Sequence, residues 1–291
     1  GAANAVNVNS SDVMIPAFLA AYTGGNAKSI SLSLIPGLWA LLPNWNMTYD
    51  GLSKIPFVKE YAKSVRLSHR YSCFYQIGSY TSYSTWVDAG DGFGFIRDAV
   101  SGKPTPSSPY NMSSVSIIEA FNPLFGAETV LNNSLLFNMK YNTARTLNLN
   151  SLSLQIVEAM DKEWVVGCGY RINDFNRLLG IRTRDTRQNN DRRRKKNADA
   201  ENITPVASEI NNDLNLKFDL SHRTQQALIR RINENYTQAT SGTTIFTIKF
   251  SADYTLSRSL TLRAFYDRVL NKPLITSVGY TTTNSSFGLS L

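Results

Sequence analysis

Two histidines, two cysteines, a few acid clusters and one basic run hold the reactive chemistry of this 291-residue chain. A histidine works as a general base or metal ligand only with a nucleophile, carboxylate or second ligand at a set spacing, and neither His69 nor His222 has one. His69 falls on the apolar phase of an alternating stretch, and His222 in a short polar segment read as a turn. Cys73 and Cys168, on the apolar phases of two separate stretches, read as small apolar side chains, with no spacing that favours a disulfide. Asp161-Lys162-Glu163 and Asp267-Arg268 read as solvated charges at strand ends. No catalytic residue, metal site or cofactor is expected.

The basic run RTRDTRQNNDRRRKK, from Arg182 to Lys196, has the charge that phosphate attracts. Between Arg177 and Lys196 stand nine Lys or Arg against Asp185 and Asp191, a net +7 out of +8 for the whole chain. Nucleic-acid binding also calls for interleaved aromatics or a folded platform, and the run has neither. The expectation is a solvated loop touching acidic lipopolysaccharide or a partner, and no nucleic acid.

The elements that must carry these groups are strands. From Phe246 onward Ile248, Phe250, Ala252, Tyr254 and Leu256 alternate with Thr247, Lys249, Ser251, Asp253 and Thr255, which only period two places on opposite faces. After Ser257-Arg258-Ser259 the pattern resumes with Leu260, Leu262, Ala264 and Tyr266, with Phe265 out of phase. Similar alternation covers Val65 to Ser79, Leu135 to Tyr141, Trp164 to Ile172 and Leu214 to Leu220. Leu147 to Ile156 changes parity at Asn150-Ser151, as one bulge would make it do, and Val115 to Phe121 slips at Ile117-Ile118. SKIPFVKEYAKS, from Ser53, predicts a short helix with Pro56 in its first turn. Val13 to Tyr22 is apolar but too short, and with Pro16 too broken, to span a bilayer as a helix. Asp88 to Tyr110 and Asn173 to Asn212 read as long loops.

Strands of about a dozen residues exceed the average of about 5 or 6 in soluble domains and match the roughly 9 to 11 of a strand crossing a bilayer. A soluble sandwich with one wet face is the alternative that the hairpin alone leaves open. Connection lengths separate the two, because bacterial barrels have short periplasmic turns and long outer loops. Counted back from a last strand descending to the periplasm, the turns at 257–259, 221–224 and 159–162 fall inside, and the longer connections at 272–281, 235–242 and 173–212 fall outside, with 142–145 a short outer exception. The expected fold is an all-β antiparallel transmembrane meander of roughly a dozen strands. Trp164, Val166, Tyr170, Phe246, Ile248, Phe250 and Tyr254 would then face lipid, and Arg66, Arg70, Lys140, Lys249, Asp253, Arg263 and Asp267 a wet lumen. The start at Gly1 without Met or signal segment reads as a processed product or a piece of something longer, and the end at Leu291 without a terminal aromatic as a few missing residues.

Several long stretches carry a resemblance: IPAFLAAYTG from Ile15, LPNWNMTYDGLSKIPFVKEYAKSVRLSHRY from Leu42, LNNSLLFNMKYNTARTLNLNSLSLQIVEAMDKEWVVGCGYRINDF from Leu131, LNLKFDLSHRTQQALIRRI from Leu214 and TSGTTIFTIKFSADYTLSRSLTLRAFYDRVLNKPLI from Thr240. Together they resemble the C-terminal portion of the SprA/Sov family, the outer-membrane translocon of type IX secretion in Bacteroidota. The resemblance implies that residues 1–291 are the last sector of a giant single-polypeptide barrel in the bacterial outer membrane, of the class reaching ~36 strands. It also implies passage of folded cargo proteins and, as partners, the rest of the same polypeptide, a PorV-like cargo-uptake barrel, a periplasmic plug protein and outer-membrane lipid. The basic loop from Arg182 to Lys196 is not part of the matching pattern. An independent porin-like barrel for small solutes is the alternative, and a barrel enzyme the remoter one.

Overall fold

Alternation organises the chain into one antiparallel sheet. The structure is a computed structural model that describes residues 8–24, 43–90, 94–173, 175, 213–257, 260–275 and 279–291. Nine strands lie side by side: β1 (Trp45–Tyr49), β2 (Ala62–Ser82), β6 (Tyr110–Leu131), β7 (Leu135–Asn150), β8 (Gln155–Ile172), β9 (Leu214–Arg231), β10 (Tyr236–Ser257), β11 (Leu260–Pro273) and β12 (Thr282–Ser290). Each strand pairs with the next in this order, a plain meander, and the outer edges of β1 and β12 have no strand beside them among the described residues.

Several expected turns lie inside strands. Residues 142–145, 159–162 and 221–224 sit mid-strand in β7, β8 and β9, joined by an unbroken register from Leu135↔Tyr170 to Asn150↔Gln155 and from Gln155↔Arg231 to Ile172↔Leu214. Their charges do not end the strands because they have partners across them: Arg223 Nε donates to Asp161 Oδ1 at 3.0 Å. The parity change at Asn150-Ser151 is a reversal of the chain and not a bulge. Asn150 Oδ1 accepts from the N–H groups of Leu152 and Ser153, both at 3.0 Å, and this side-chain turn starts the connection at 151–154. Residues 235–242, expected as a loop, belong largely to β10, the true turn being 232–235. The expected slip at Ile117-Ile118 is absent too: Ile117 pairs with Leu147 and Ile118 with Thr146 in step.

These corrections remove the alternation of short and long connections. One end of the sheet carries residues 83–109, 151–154, 232–235 and 274–281; the other carries 132–134, 173–213 and 258–259. The chain passes from the first long connection to the second through three strands, β6, β7 and β8, so the two leave opposite ends. Residues 88–110 and 173–212 therefore cannot both be outer loops. The interior of the second, with the basic run, lies outside the described residues.

The first long connection is folded. It holds a small antiparallel sheet of β3 (Val87–Asp88), β4 (Gly94–Arg97) and β5 (Pro104–Pro106). Its turn is built on Asp98, whose carboxylate takes hydrogen bonds from the Val100 and Ser101 N–H groups and the Ser101 hydroxyl. The Ser101 and Val100 donors hold that carboxyl below its usual range.

Val13 to Tyr22 belongs to a helix, α1 (Ser11–Thr23), ended by Gly24 in the left-handed conformation at φ 69°, with its N–H on Ala20 O. Met14, Ile15, Phe18 and Leu19 form one stripe at helical spacing, and the stripe packs on Tyr71 and Cys73 of β2, Met112, Val115 and Ile117 of β6, and Leu147 and Leu149 of β7. Each fully buried aliphatic or aromatic side chain here contributes about 1.5–3 kcal/mol. Tyr22 closes the helix over the sheet, its hydroxyl 3.5 Å from Cys73 Sγ, and burial pushes its phenol well above the usual range. A 3₁₀ turn (Gly51–Lys54) and the short helix α2 (Pro56–Tyr61), with Pro56 at its start as predicted, cap the opposite end of β2.

Candidate functional site

Directly paired residues in a sheet share a face, so the register sorts every strand residue. One face carries Val65 and Leu67 on β2, Met139 and Tyr141 on β7, Trp164, Val166, Cys168 and Tyr170 on β8, Leu216, Phe218 and Leu220 on β9, Phe246, Ile248, Phe250 and Tyr254 on β10, Leu262 and Tyr266 on β11, and Phe287 and Leu289 on β12. The other carries Arg66 and Arg70, Lys140, Lys217 and Asp219, Lys249 and Asp253, and Arg263 and Asp267. The two residue sets picked from alternation thus stand on opposite sides of one continuous sheet.

The apolar face is uncovered below α1. Trp164 is 42 % exposed, Phe250 40 % and Phe218 38 %, as parts of one contiguous belt. A patch this wide on a soluble domain is a surface that requires a cover. The belt runs from Trp164 to Ile172 on β8 and from Phe246 to Tyr254 on β10. At about 3.3 Å per residue these lengths, tilted by about 40°, stand roughly 20–25 Å tall, close to the ~25 Å apolar band of a membrane barrel. Aromatic rings mark its upper rim, where Tyr141 stacks on Trp164 at 4.3 Å. Above the rim come charges, and the boundary steps down across the sheet, from Arg145 on β7 through Lys162 on β8 to Arg268 on β11, a slope that tilted strands produce.

That boundary contains a ladder the sequence reading missed. Glu158 on β8 accepts from Arg145 Nε on β7 at 2.8 Å and from an Arg230 terminal nitrogen on β9 at 3.2 Å, with its own side chain only 6 % exposed. Glu119 on β6, opposite Arg145, takes a hydrogen bond from the Tyr71 hydroxyl at 3.1 Å. The clue was parity: Glu158 shares the phase of Trp164 once the false break at Asp161 is removed. Glu158→Gln is expected to lower stability by about 1–3 kcal/mol, the worth of a charge-assisted bond left half made. A shift in the urea midpoint of folded protein measures it, and an unchanged midpoint would mean that the ladder holds nothing.

The polar face is a set of neutralised pairs across strands. Arg66 Nε meets Asp50 at 3.0 Å, Lys140 Nζ meets Glu128 at 2.9 Å, and Arg263 Nε meets Asp253 at 3.3 Å. Arg171 pairs with Asp213, and Lys249 stands between Asp219 and Asp267 in register. The two pairs exposed on both sides, Arg66–Asp50 and Lys140–Glu128, stabilise by at most about 1 kcal/mol each, whereas Asp213 is buried beside Arg171. Their consequence is electrical, leaving a wall of both signs with little net field. Phe265, out of phase in the sequence, lies here against Gly288, where an added Cβ would stand 2.8 Å from its ring, so the aromatic fills the space that glycine leaves. Gly167 has a similar role: a Cβ there would meet Asp219 and Asn138, whose side chains lean across it.

Among the described residues the histidines and cysteines stand apart from one another. His69 on β2 sits between the rings of Trp45 and Phe121, 2.6 Å from Leu124 O through Nδ1; His222 on β9 pairs with Trp164 and Phe246. Cys73 and Cys168 are free, on β2 and β8. Among the described residues no cluster of three metal-binding side chains occurs and no helix is long and apolar enough to cross a membrane. No protein-family model matches the chain, and no curated protein does.

Proposed function

We propose that this sheet is a sector of the wall of a protein-conducting β-barrel in the bacterial outer membrane, exporting folded cargo in the manner of type IX secretion. The observation that carries the reading is the register, which gathers the uncovered aromatic belt on one side and the neutralised charge pairs on the other. The belt faces lipid, and the paired face lines a wide aqueous lumen. A small-solute porin selects with inward loops and rings of one charge sign, whereas a conduit for folded proteins of any charge benefits from a wall of low net field. The free edges of β1 and β12 take the neighbouring strands of the same polypeptide, in keeping with the resemblance to the SprA/Sov family. A PorV-like barrel, a periplasmic plug and the cargo proteins complete the assembly. No residue of this sector acts as a catalyst.

Removal of residues 43–291 from the host polypeptide is expected to stop the appearance of cargo at the cell surface. Cargo export and small-solute uptake are measured side by side. If cargo still reaches the surface while solute uptake alone falls, the conduit reading is wrong and a porin remains.

A further inference from the structure

The cations of the two faces differ in their company. On the polar face Arg66, Lys140, Arg171, Arg223 and Arg263 each hold a carboxylate and Lys249 stands in register between Asp219 and Asp267, while Arg70 and Lys217 form no ion pair among the described residues. On the apolar face, carboxylates among the described strand residues occur only at Glu119 and Glu158, and Glu158 is buried between Arg145 and Arg230. Lys162, Arg268 and Lys272 are exposed on this apolar face and form no ion pair among the described residues.

Their placement is ordered. Lys162 pairs with Thr143 on one side and Thr224 on the other, Thr224 pairs with Thr244, and Thr244 with Lys272, so two ammonium groups and three hydroxyls share one register row. The lysines stand three strand steps apart, roughly 14 Å at about 4.8 Å per step. The next row down is apolar and aromatic, with Tyr141, Trp164, His222, Phe246 and Leu270. Arg268 lies one row lower, where the belt's boundary slopes down across β11. A row of unneutralised cations and hydroxyl donors directly above an aromatic rim and an apolar belt has the complementary shape and charge of an amphiphile with an anionic head.

We propose that Lys162, Arg268 and Lys272, with the hydroxyls of Thr143, Thr224 and Thr244, bind the phosphate-bearing headgroups of membrane lipids whose acyl chains lie on the belt below. This rests on the reading that the apolar face meets lipid. The site selects anionic over zwitterionic lipid and fixes the height at which the wall rides in the bilayer. Free phosphate, lacking acyl chains, has no hold on the belt and is a poor substitute.

The full polypeptide containing this chain, its fold checked by heat-modifiable mobility, is reconstituted in phosphatidylcholine vesicles with rising fractions of acyl-brominated phosphatidylglycerol or acyl-brominated phosphatidylcholine. The readout is quenching of Trp164, taken as the difference between wild type and Trp164→Phe. Brominated phosphatidylglycerol is expected to quench with a preference of about fivefold or more over brominated phosphatidylcholine. In the triple variant Lys162→Gln, Arg268→Gln, Lys272→Gln the preference falls to near unity while quenching by phosphatidylcholine persists; Lys162→Arg with Lys272→Arg retains the preference. Equal quenching by the two lipids in wild type overturns the headgroup site and leaves the membrane reading standing, whereas no quenching by either overturns both. Relief of phosphatidylglycerol quenching by inorganic phosphate, beyond that by chloride at equal ionic strength, assigns the row to free phosphate and overturns the lipid assignment.

Discussion

Phe250→Arg is expected to destabilise the folded protein in a bilayer by about 2–4 kcal/mol, the cost of a basic side chain near the middle of a barrel's lipid face. Phe250 lies between Phe218 on β9 and Tyr266 on β11, two same-face rows below Phe246 on its own strand and one row below Arg268 on the next. In water the same change at a side chain 40 % exposed stays within about 0.5 kcal/mol, with at most about 1 kcal/mol more for lost aromatic pairing. Thr247→Arg is the matched control. It stands on the opposite face between Ser221 and Val269, which the proposed function gives to a wet lumen that would hydrate the guanidinium. The measurement is the urea midpoint of the heat-modifiable form in lipid vesicles. Equal midpoints for the two variants would remove lipid from the apolar face, and with it the barrel.

Ile15→Asp is expected to release helix α1 from the sheet. Ile15 is 1 % exposed, against a surface that includes Val115 at 0 % and Ile117 at 1 %, and none of these neighbours can neutralise a carboxylate. Burying an unpaired charge costs about 3–5 kcal/mol, more than the helix alone recovers, so the cheaper outcome is detachment. Val13→Asp, at a position 36 % exposed near the helix N-terminus, should change stability by no more than about 0.5 kcal/mol. Hydrogen exchange over residues 11–23 reports the difference. Continued protection in Ile15→Asp would show that something other than this apolar stripe holds the helix.

Period two is strongest where side chains meet unlike surroundings, and there the strands were legible. The face assignment of Phe246, Ile248, Phe250 and Tyr254 against Lys249 and Asp253 follows from alternation alone, because a one-residue slip would exchange all of them. Strand ends were less legible. In a sheet with a wet face, charges such as Asp161 and Arg223 mark no boundary, since each finds a counter-charge on the neighbouring strand. Asn150, in contrast, is a common polar residue in the sequence and a turn former in the structure only because Leu152 and Ser153 double back onto it. Helix α1 was hidden by its own composition: VMIPAFLAAY is apolar nearly all round, and only contact with β2, β6 and β7 selects the stripe at Met14, Ile15, Phe18 and Leu19. The Glu158 ladder needed neighbours from three strands, information that sits in the register.

The meander has an arithmetic consequence. The small β3–β5 sheet and the segment 173–213 are separated by three crossings, an odd number, so a wall that divides two compartments assigns one of them to each. A ligand of the first and a ligand of the second never compete for space, and no moving part is required to keep them apart. Strands can be gained or lost between the two only in pairs if that assignment is to survive. A single extra hairpin is neutral, and a single extra strand turns the address of everything after it inside out.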